Sequence, residues 1–176
     1  MKPALQMEWT LGSLLLTLVA CGVPQGGQAP TLMLPVEQTP ATASIAAADE
    51  WLARGYHLKW QCQMTPQDKR PPSGHTGKTR TCNNAALLAS AGSGEYPVGA
   101  AAVKELYDGD GKISGHAVSL RVAAGAGGER WFWFERTGSG EGGVPAIGLG
   151  DVNNPRTICV GCHSGAPRDF VWTRVL

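Results

Sequence analysis

The sequence predicts an α+β domain, a twisted antiparallel β-sheet with a few short helices. Gly (24) and Pro (12) together make up about a fifth of the 176 residues, against roughly 12% in an average chain. Both residues weaken helix interiors, so a bundle of long helices is excluded. One stretch alternates apolar and polar residues, as a half-buried strand does, and several later stretches also read as strands. The folded domain is expected over residues 47–176, an ordinary domain size.

The elements of this domain follow from local patterns. A short helix is predicted at 46–55, where Gly55 stops it, and the alternation in 56–62 predicts a half-buried strand. Pro, Gly, Lys and Arg dominate 65–81, which is typical of a loop. The remaining predictions are a helical turn at 83–90, strands at 98–107, 117–122 and 130–135, and a flexible connection at 138–150.

Two short sequences within the predicted sheet are informative. Residues 131–134 read W-F-W-F and place aromatic side chains on both faces, so this strand is expected to be covered on both sides. Residues 108–111 read D-G-D-G and predict the turn of a hairpin. A calcium loop is the alternative for this stretch, but the later acidic ligands of an EF-hand, above all its closing Glu, are missing.

Residues 1–20 have the pattern of an export leader. Lys2 gives a positive start, and the apolar run at 11–20 is shorter than the about 20 residues that a helix needs to span a bilayer. The run ends in L-V-A-C-G, which resembles the lipobox of bacterial lipoproteins. That resemblance implies export and acylation of Cys21, with Gly22 indicating the outer membrane, facing the periplasm. An ordinary signal peptide that meets a cysteine is the alternative.

Residues 21–46 are predicted to form the acylated cysteine and a flexible tether. They are rich in Pro, Gly, Gln, Thr and Ala and carry almost no charge, a composition that cannot bury enough apolar surface to fold. The membrane is therefore expected as a partner through the lipid anchor only. With 15 basic and 14 acidic residues, the charge balance gives no reason to expect nucleic acid as a partner.

The chemistry of the chain is indicated by a C-x-x-C-H motif, in which Cys159 and Cys162 precede His163. This is the attachment signature of c-type haem. Two thiols three positions apart can reach the two vinyl groups of one porphyrin, and the adjacent imidazole then lies beneath the iron. We therefore expect one covalent haem c, bound through both cysteines, with His163 as axial ligand.

Other C-x-x-C chemistries fit the sequence less well. A zinc site needs two further ligands, typically a closely spaced pair, and Cys62 and Cys82 are not such a pair. A thioredoxin-like dithiol belongs to a βαβ unit, and none precedes Cys159. A C-x-x-C protein without haem is the remaining alternative.

The position of the motif indicates an open iron. Only 13 residues follow His163, and none is Met or His, whereas small electron-transfer cytochromes have the motif first and a methionine ligand far downstream. We favour an iron without a strong sixth ligand, open to a small molecule. The protein side chains that remain as candidates for a sixth ligand are Met33, Met64, His57, His75 and His116.

The residues around the motif resemble the cytochrome P460 family, which includes the sheet-based cytochromes c′-β. The resemblance rests on 103–106 (V-K-E-L), 131–134, the haem motif and 169–173 (D-F-V-W-T). It implies an antiparallel-sheet domain with haem bound near the C-terminus. Helical cytochromes c′ also have a C-terminal motif, but the glycine content and strand patterns do not suit a four-helix bundle.

This resemblance implies a role for Lys104. In P460 enzymes a lysine of the V-K-E-L segment is linked covalently to a porphyrin meso carbon, and the enzyme oxidises hydroxylamine at the ferric iron, which requires an electron acceptor such as a soluble cytochrome. A strand lysine that points to solvent is the alternative. A c′-β-like protein with an apolar pocket would instead bind nitric oxide without turnover, and a plain electron carrier would need a six-coordinate haem.

One feature departs from the enzymes of this family. Their catalysis benefits from a carboxylate that relays protons, but residues 151–158 before the motif contain no Glu, and their only acid is Asp151. Glu105 adjoins Lys104, but successive strand side chains point to opposite faces. The sequence therefore leaves enzyme and binding protein both open.

Cys62 and Cys82 are assigned to a disulfide, because an exported chain folds in an oxidising environment. The bond would close a loop of about 20 residues, worth on the order of 3 kcal/mol. Two buried thiols are the alternative. With Cys21 acylated and Cys159 and Cys162 on haem, all five cysteines have a role.

Overall fold

The computed structural model describes residues 39–42, 44–68, 73–75, 77–90, 92, 94–138, 143–144, 146–150 and 154–175. All of them belong to one compact unit, Met33–Leu176. The predicted leader at 1–20, the predicted acylation site Cys21, Met33 and most of the predicted tether lie outside the described residues. Within the described ranges, no helix has both the length and the apolar character to cross a membrane.

Six strands in the described part of the chain form one antiparallel sheet, and each strand pairs with its neighbour in the sequence. This confirms the predicted α+β class with a few short helices. The elements are α1 (Ile45–Ala53), β1 (Gln61–Cys62), β2 (Lys78–Asn83), α2 (Ala85–Ala89), β3 (Ala101–Tyr107), β4 (Ile113–Arg121), β5 (Trp131–Thr137), β6 (Ala146–Leu149), a π-helical segment (Pro155–Val160) and its short continuation α3 (Gly161–His163).

Helix α1 covers one face of the sheet. The Ser44 side chain caps it by accepting a hydrogen bond from the Ala47 N–H (3.1 Å). Gly55, which the sequence predicts to end the helix, follows it with a left-handed φ of 66°. Trp51 and Leu52 are buried. The apolar core on this face is formed by Ala48, Trp51, Leu52, Ala101, Val103, Val118, Leu120, Phe132 and Phe134.

The second face of the sheet packs against the C-terminal part of the chain. Trp131 and Trp133 point to this side, while Phe132 and Phe134 point to the α1 side. All four are almost fully buried. The expectation that β5 is covered on both faces is confirmed, because the period-two alternation of a strand sends successive side chains to opposite sides.

The predicted strand at 56–62 is largely wrong. Tyr56–Lys59 form a 3-10 turn, and only Gln61–Cys62 are extended. The apolar alternation instead reflects one turn that begins at the left-handed Gly55 and buries His57 against Glu105. Local alternation over seven residues does not separate these two outcomes.

The predicted loop at 65–81 ends too late, because Lys78–Asn83 form strand β2. Its basic and polar residues are stabilised by pairing with β3, where Arg80 lies opposite Glu105. Similarly, the predicted connection at 138–150 contains strand β6, which pairs with β5. Both strands depend on partners distant in sequence, which propensity alone does not reveal.

A predicted disulfide and a predicted hairpin turn are both present in the fold. Cys62 and Cys82 form a disulfide between β1 and β2, where they are register partners. The D-G-D-G sequence forms the hairpin turn between β3 and β4. There the Asp108 carboxylate accepts hydrogen bonds from the N–H groups of Asp110 (3.0 Å) and Lys112 (2.8 Å), as Asp does in tight turns.

Candidate functional site

A cavity of about 700 Å³ lies between the sheet face that carries Trp133 and the C-terminal segment. Its volume is within the range of roughly 300–1,000 Å³ typical of cofactor and ligand sites. All four residues predicted for the site line it, namely Lys104, Cys159, Cys162 and His163. Residues 103 and 163 are far apart in the sequence, so only the fold brings the V-K-E-L strand to the C-x-x-C-H helix.

The C-x-x-C-H motif lies on the helical segment that begins at Pro155. Proline suits this first position because its missing N–H has no helical partner there. Cys159 and Cys162, one turn apart, both border the cavity and carry thiols rather than a disulfide. Their i, i+3 spacing places them on the same helix face. This is the arrangement that attachment to one porphyrin requires.

Burial affects the chemistry of the first thiol. It raises the pKa of Cys159 to about 12, so the group stays protonated at neutral pH. Thiolates, not thiols, carry out disulfide exchange and bind zinc. A thioredoxin-like role for this pair is therefore disfavoured.

Two glycines allow the helical segment to approach the sheet closely. A Cβ atom added to Gly128 would lie 2.5 Å from the side chain of Val160, and one added to Gly150 would meet the Gly128 carbonyl and Val160. The same carbonyl accepts a hydrogen bond from Trp133 Nε1 (3.2 Å). The glycine-rich stretches around the motif thus have a packing function, since only glycine leaves room for this contact.

His163 is oriented by a backbone carbonyl. Its Nδ1 lies 2.7 Å from Phe170 O, and because a carbonyl only accepts, Nδ1 must carry the proton and Nε2 the lone pair. Burial lowers the pKa of His163 to about 4, which keeps the ring neutral. A neutral imidazole whose other nitrogen donates to a carbonyl is the usual state of a metal-binding histidine. The residue fits the predicted axial role.

Lys104 borders the cavity, and its side chain is partly buried there. Burial lowers its pKa, and the charge of Glu135 acts in the opposite direction. A lowered pKa increases the fraction of neutral amine, which is the nucleophilic form of lysine. At the cavity wall, burial thus favours the neutral form of the Lys104 amine.

Glu135 is a cavity residue that the sequence analysis missed. Lys104 pairs with Ala117, and Ala117 pairs with Glu135, so the three form one row across β3, β4 and β5. The Glu135 side chain is only 11% exposed. Its position two residues after Trp133, and so on the same face of the strand, is the sequence feature that could have indicated it. The cavity therefore contains a carboxylate, although residues 151–158 supply none.

The fold places the candidate sixth ligands in different parts of the molecule. His75 borders the cavity, and its ring centroid is 6.3 Å from that of His163. Its Nδ1 lies 3.4 Å from Glu135 Oε2. Met64 is 95% exposed and is not among the cavity residues, and Met33 lies outside the described residues.

His57 and His116 belong to a different polar cluster, on the α1 side of the sheet. Their rings lie 5.5 Å apart, and His57 Nε2 is 3.3 Å from Glu105 Oε1. Burial lowers the pKa of His116 to about 4. Neither imidazole borders the cavity.

Glu105 is the centre of that cluster. Its carboxylate accepts two hydrogen bonds from Arg80 (2.6 and 2.8 Å) and one from Tyr107 Oη (2.7 Å). Burial alone would raise the pKa of Glu105, but the hydrogen bonds from His57, Arg80 and Tyr107 lower it to about 2. As predicted from the alternation of side chains along a strand, Glu105 and Lys104 lie on opposite faces of the sheet.

Comparison with protein-family models, curated proteins and solved structures gives no match to this chain. The function is therefore argued from the site itself. In the described part of the chain, no three or more His, Cys, Asp or Glu side chains are grouped so that they could hold a metal ion. Two adjacent thiols, one neutral imidazole and a roomy cavity fit a haem.

Proposed function

We propose that the protein is an exported, lipid-anchored mono-haem c-type cytochrome of the P460 type. It binds or oxidises a small nitrogen ligand, hydroxylamine or nitric oxide, at an open haem site. One observation carries this proposal. The same cavity is bordered by the C-x-x-C-H residues, by Lys104 and by Glu135, so the residues that would attach haem adjoin a lysine and a carboxylate.

The chain would hold the haem through residues already described. Cys159 and Cys162 would form the thioether bonds, and His163 Nε2 would bind the iron. When bound, the haem supplies the iron that takes up the nitrogen ligand and accepts its electrons. Phe170 O keeps His163 in the required tautomer.

Glu135 supports the enzymatic version of the proposal. Oxidation of hydroxylamine releases protons, and a carboxylate at the cavity wall can accept them. Glu135 Oε2 and His75 Nδ1 lie 3.4 Å apart, which is a contact between the two groups but not a hydrogen bond. Electrons would leave to a soluble cytochrome. By analogy with the P460 enzymes, Lys104 would form the porphyrin link; the amine and a meso carbon would each lose a hydrogen, and the two electrons would pass to an external acceptor.

The first experiment uses the protein matured with haem in a competent host. A pyridine haemochrome assay should show one covalent haem, and carbon monoxide should change the ferrous spectrum readily. A negative haemochrome would reject the haem proposal. Absence of any carbon monoxide effect would reject an open site.

A second experiment separates enzyme from binding protein. The enzyme predicts a strongly red-shifted ferrous band, a Lys104–haem peptide by mass spectrometry, and hydroxylamine-dependent reduction of an added electron acceptor. The binding protein predicts none of these, yet forms a nitrosyl complex with nitric oxide. The Lys104→Arg variant, which keeps the charge, is the matched control for the linked peptide.

One observation favours a second candidate, an electron-transfer cytochrome with a six-coordinate haem. His75 borders the cavity near His163 and could supply the sixth ligand. In that case carbon monoxide would leave the wild-type ferrous spectrum unchanged and would alter it in His75→Ala. Binding to both proteins alike would reject this candidate.

The anchor is tested separately. Cys21→Ser should abolish incorporation of labelled fatty acid and move the protein from the membrane to the soluble periplasmic fraction. Haem attachment should be unchanged in this variant, because Cys21 precedes the haem domain. Unaltered fractionation would reject the lipoprotein assignment.

A further inference from the structure

The turn that follows the haem motif has an unusual backbone. Asp169 (φ 35°) and Phe170 (φ 64°) are the non-glycine residues with positive φ in the described chain. This left-handed region is unfavourable for L-residues, and two successive ones persist only where surrounding contacts enforce them. The turn is closed by a hydrogen bond from the Val171 N–H to the Arg168 carbonyl (2.8 Å).

Three donors hold the Asp169 side chain, which is only 6% exposed. Its Oδ2 accepts from the Tyr96 N–H (2.6 Å), and its Oδ1 accepts from Arg121 Nη1 (3.0 Å) and Trp131 Nε1 (3.4 Å). The Arg121 side chain is completely buried. Arg121 Nη2 also donates to Glu95 Oε2 (2.9 Å) and to Gly125 O (2.5 Å), while its Nε has no hydrogen-bond partner among the described residues. The Asp169 carboxylate is therefore fixed to the sheet from several directions.

These contacts fix the direction of one backbone carbonyl, that of Phe170. The left-handed turn presents Phe170 O to His163 Nδ1 at 2.7 Å. The strength of such a hydrogen bond controls how strongly the opposite nitrogen donates to a metal. Asp169 is thus linked to His163 through its neighbour in the chain, Phe170.

We propose that Asp169 and Arg121 are a positioning pair for the haem-binding histidine. By enforcing the left-handed turn, they fix the Phe170 carbonyl and so set the ring orientation and donor strength of His163 toward the iron. This inference rests on the proposed haem function. It adds a determinant of the iron's properties that lies outside the C-x-x-C-H motif and outside the cavity lining.

A purely structural role is the competing explanation, since the pair also ties the C-terminal segment to the sheet. The two explanations differ in what they predict for a folded variant. A structural tie affects stability alone. A positioning pair also shifts the iron–histidine stretching band of the ferrous protein and the midpoint potential of the haem, because both depend on the donor strength of the histidine.

The test uses the haem-loaded protein with Asp169→Asn, which keeps the side-chain size but leaves Arg121 without this charge partner. Glu95→Gln is the matched control, because Glu95 Oε2 also accepts from Arg121 (2.9 Å) but has no contact with the turn's carboxylate. We expect Asp169→Asn to lower the iron–histidine stretching frequency and to raise the midpoint potential. Glu95→Gln should change neither.

Unchanged frequency and potential in folded, haem-loaded Asp169→Asn would overturn the positioning role and leave the proposed function intact. Equal shifts in Glu95→Gln would also overturn it, because the effect would then be a general one of charge at Arg121. If Asp169→Asn does not fold, Trp131→Phe removes one donor to the same carboxylate. It should give a smaller shift in the same direction, and no shift would overturn the proposal. Absence of haem in the wild type would overturn both proposals together.

Discussion

Lys104 and Glu135 flank Ala117 on one face of the sheet, at the wall of the same cavity. Neighbouring strands are about 4.8 Å apart, so the two backbones lie about 10 Å from each other. The small side chain of Ala117 leaves the space between them open. An amine and a carboxylate therefore face one cavity without blocking it, which is the relationship on which the predictions about chemistry depend.

The Lys104→Met variant tests the lysine. Haem attachment should persist, because Cys159 and Cys162 are untouched, whereas the linked haem peptide and the red-shifted ferrous band should be lost. Methionine also removes a buried amine, so stability should not fall. Visible spectra and peptide mass spectrometry are the measurements. A red-shifted band that survives in the variant would contradict the predicted link.

Glu135→Gln tests the carboxylate. If Glu135 accepts protons from the substrate, hydroxylamine oxidation should fall by about 10²-fold or more, with unchanged haem content and carbon monoxide binding. Steady-state kinetics with an artificial electron acceptor measure the effect. Glu50→Gln is the control, because Glu50 lies on the exposed side of α1 in a surface ion pair with Arg54. Equal rates in both variants would exclude a role in proton transfer.

Tyr107→Phe tests the Glu105 cluster through its pH dependence. The pKa of Glu105 is about 2 in the folded protein, below its ordinary value of 4.5, so this carboxylate stabilises the fold above pH 4.5 and loses that effect as the pH falls toward 2. Removing the Tyr107 donor should lower the free energy of unfolding by about 1.5–3 kcal/mol at pH 7. The deficit should shrink as Glu105 becomes protonated.

Urea unfolding of wild type and Tyr107→Phe at several pH values between 7 and 2.5 measures this deficit. Tyr56→Phe is a suitable control, because Tyr56 Oη contacts exposed Arg54 rather than Glu105. A deficit that stays constant over the whole pH range would show that Tyr107 contributes through packing alone.

The Cys62→Ser, Cys82→Ser double variant tests the disulfide. Loss of a cross-link over a sequence separation of 20 should lower the free energy of unfolding by on the order of 3 kcal/mol. Chemical denaturation with and without reductant provides the measurement. Reductant should destabilise the wild type and leave the double variant unaffected, and a wild type indifferent to reductant would argue that the bond contributes little.

Much of the fold could be predicted from local sequence. The aromatic run at 131–134, the D-G-D-G turn and Gly55 after α1 each encode their structure within a few residues. Strand β6 and the first half of β2 could not be found in this way, because β6 is a four-residue segment within a glycine-rich stretch and the first residues of β2 are polar. They are extended only because β5 and β3 provide hydrogen-bonding partners.

The candidate site, like the fold, could be predicted from the sequence only in part. The sequence alone determined the C-x-x-C-H motif, because its chemistry depends on residue types at fixed short spacing, and the disulfide followed from compartment and cysteine number. Only the tertiary structure decided which polar residues share the cavity with that motif. It placed Lys104, Glu135 and His75 there and turned Glu105, His57 and His116 to the other face. The reason is physical: the face that a strand residue occupies depends on register with distant strands, and register is fixed only when the sheet assembles.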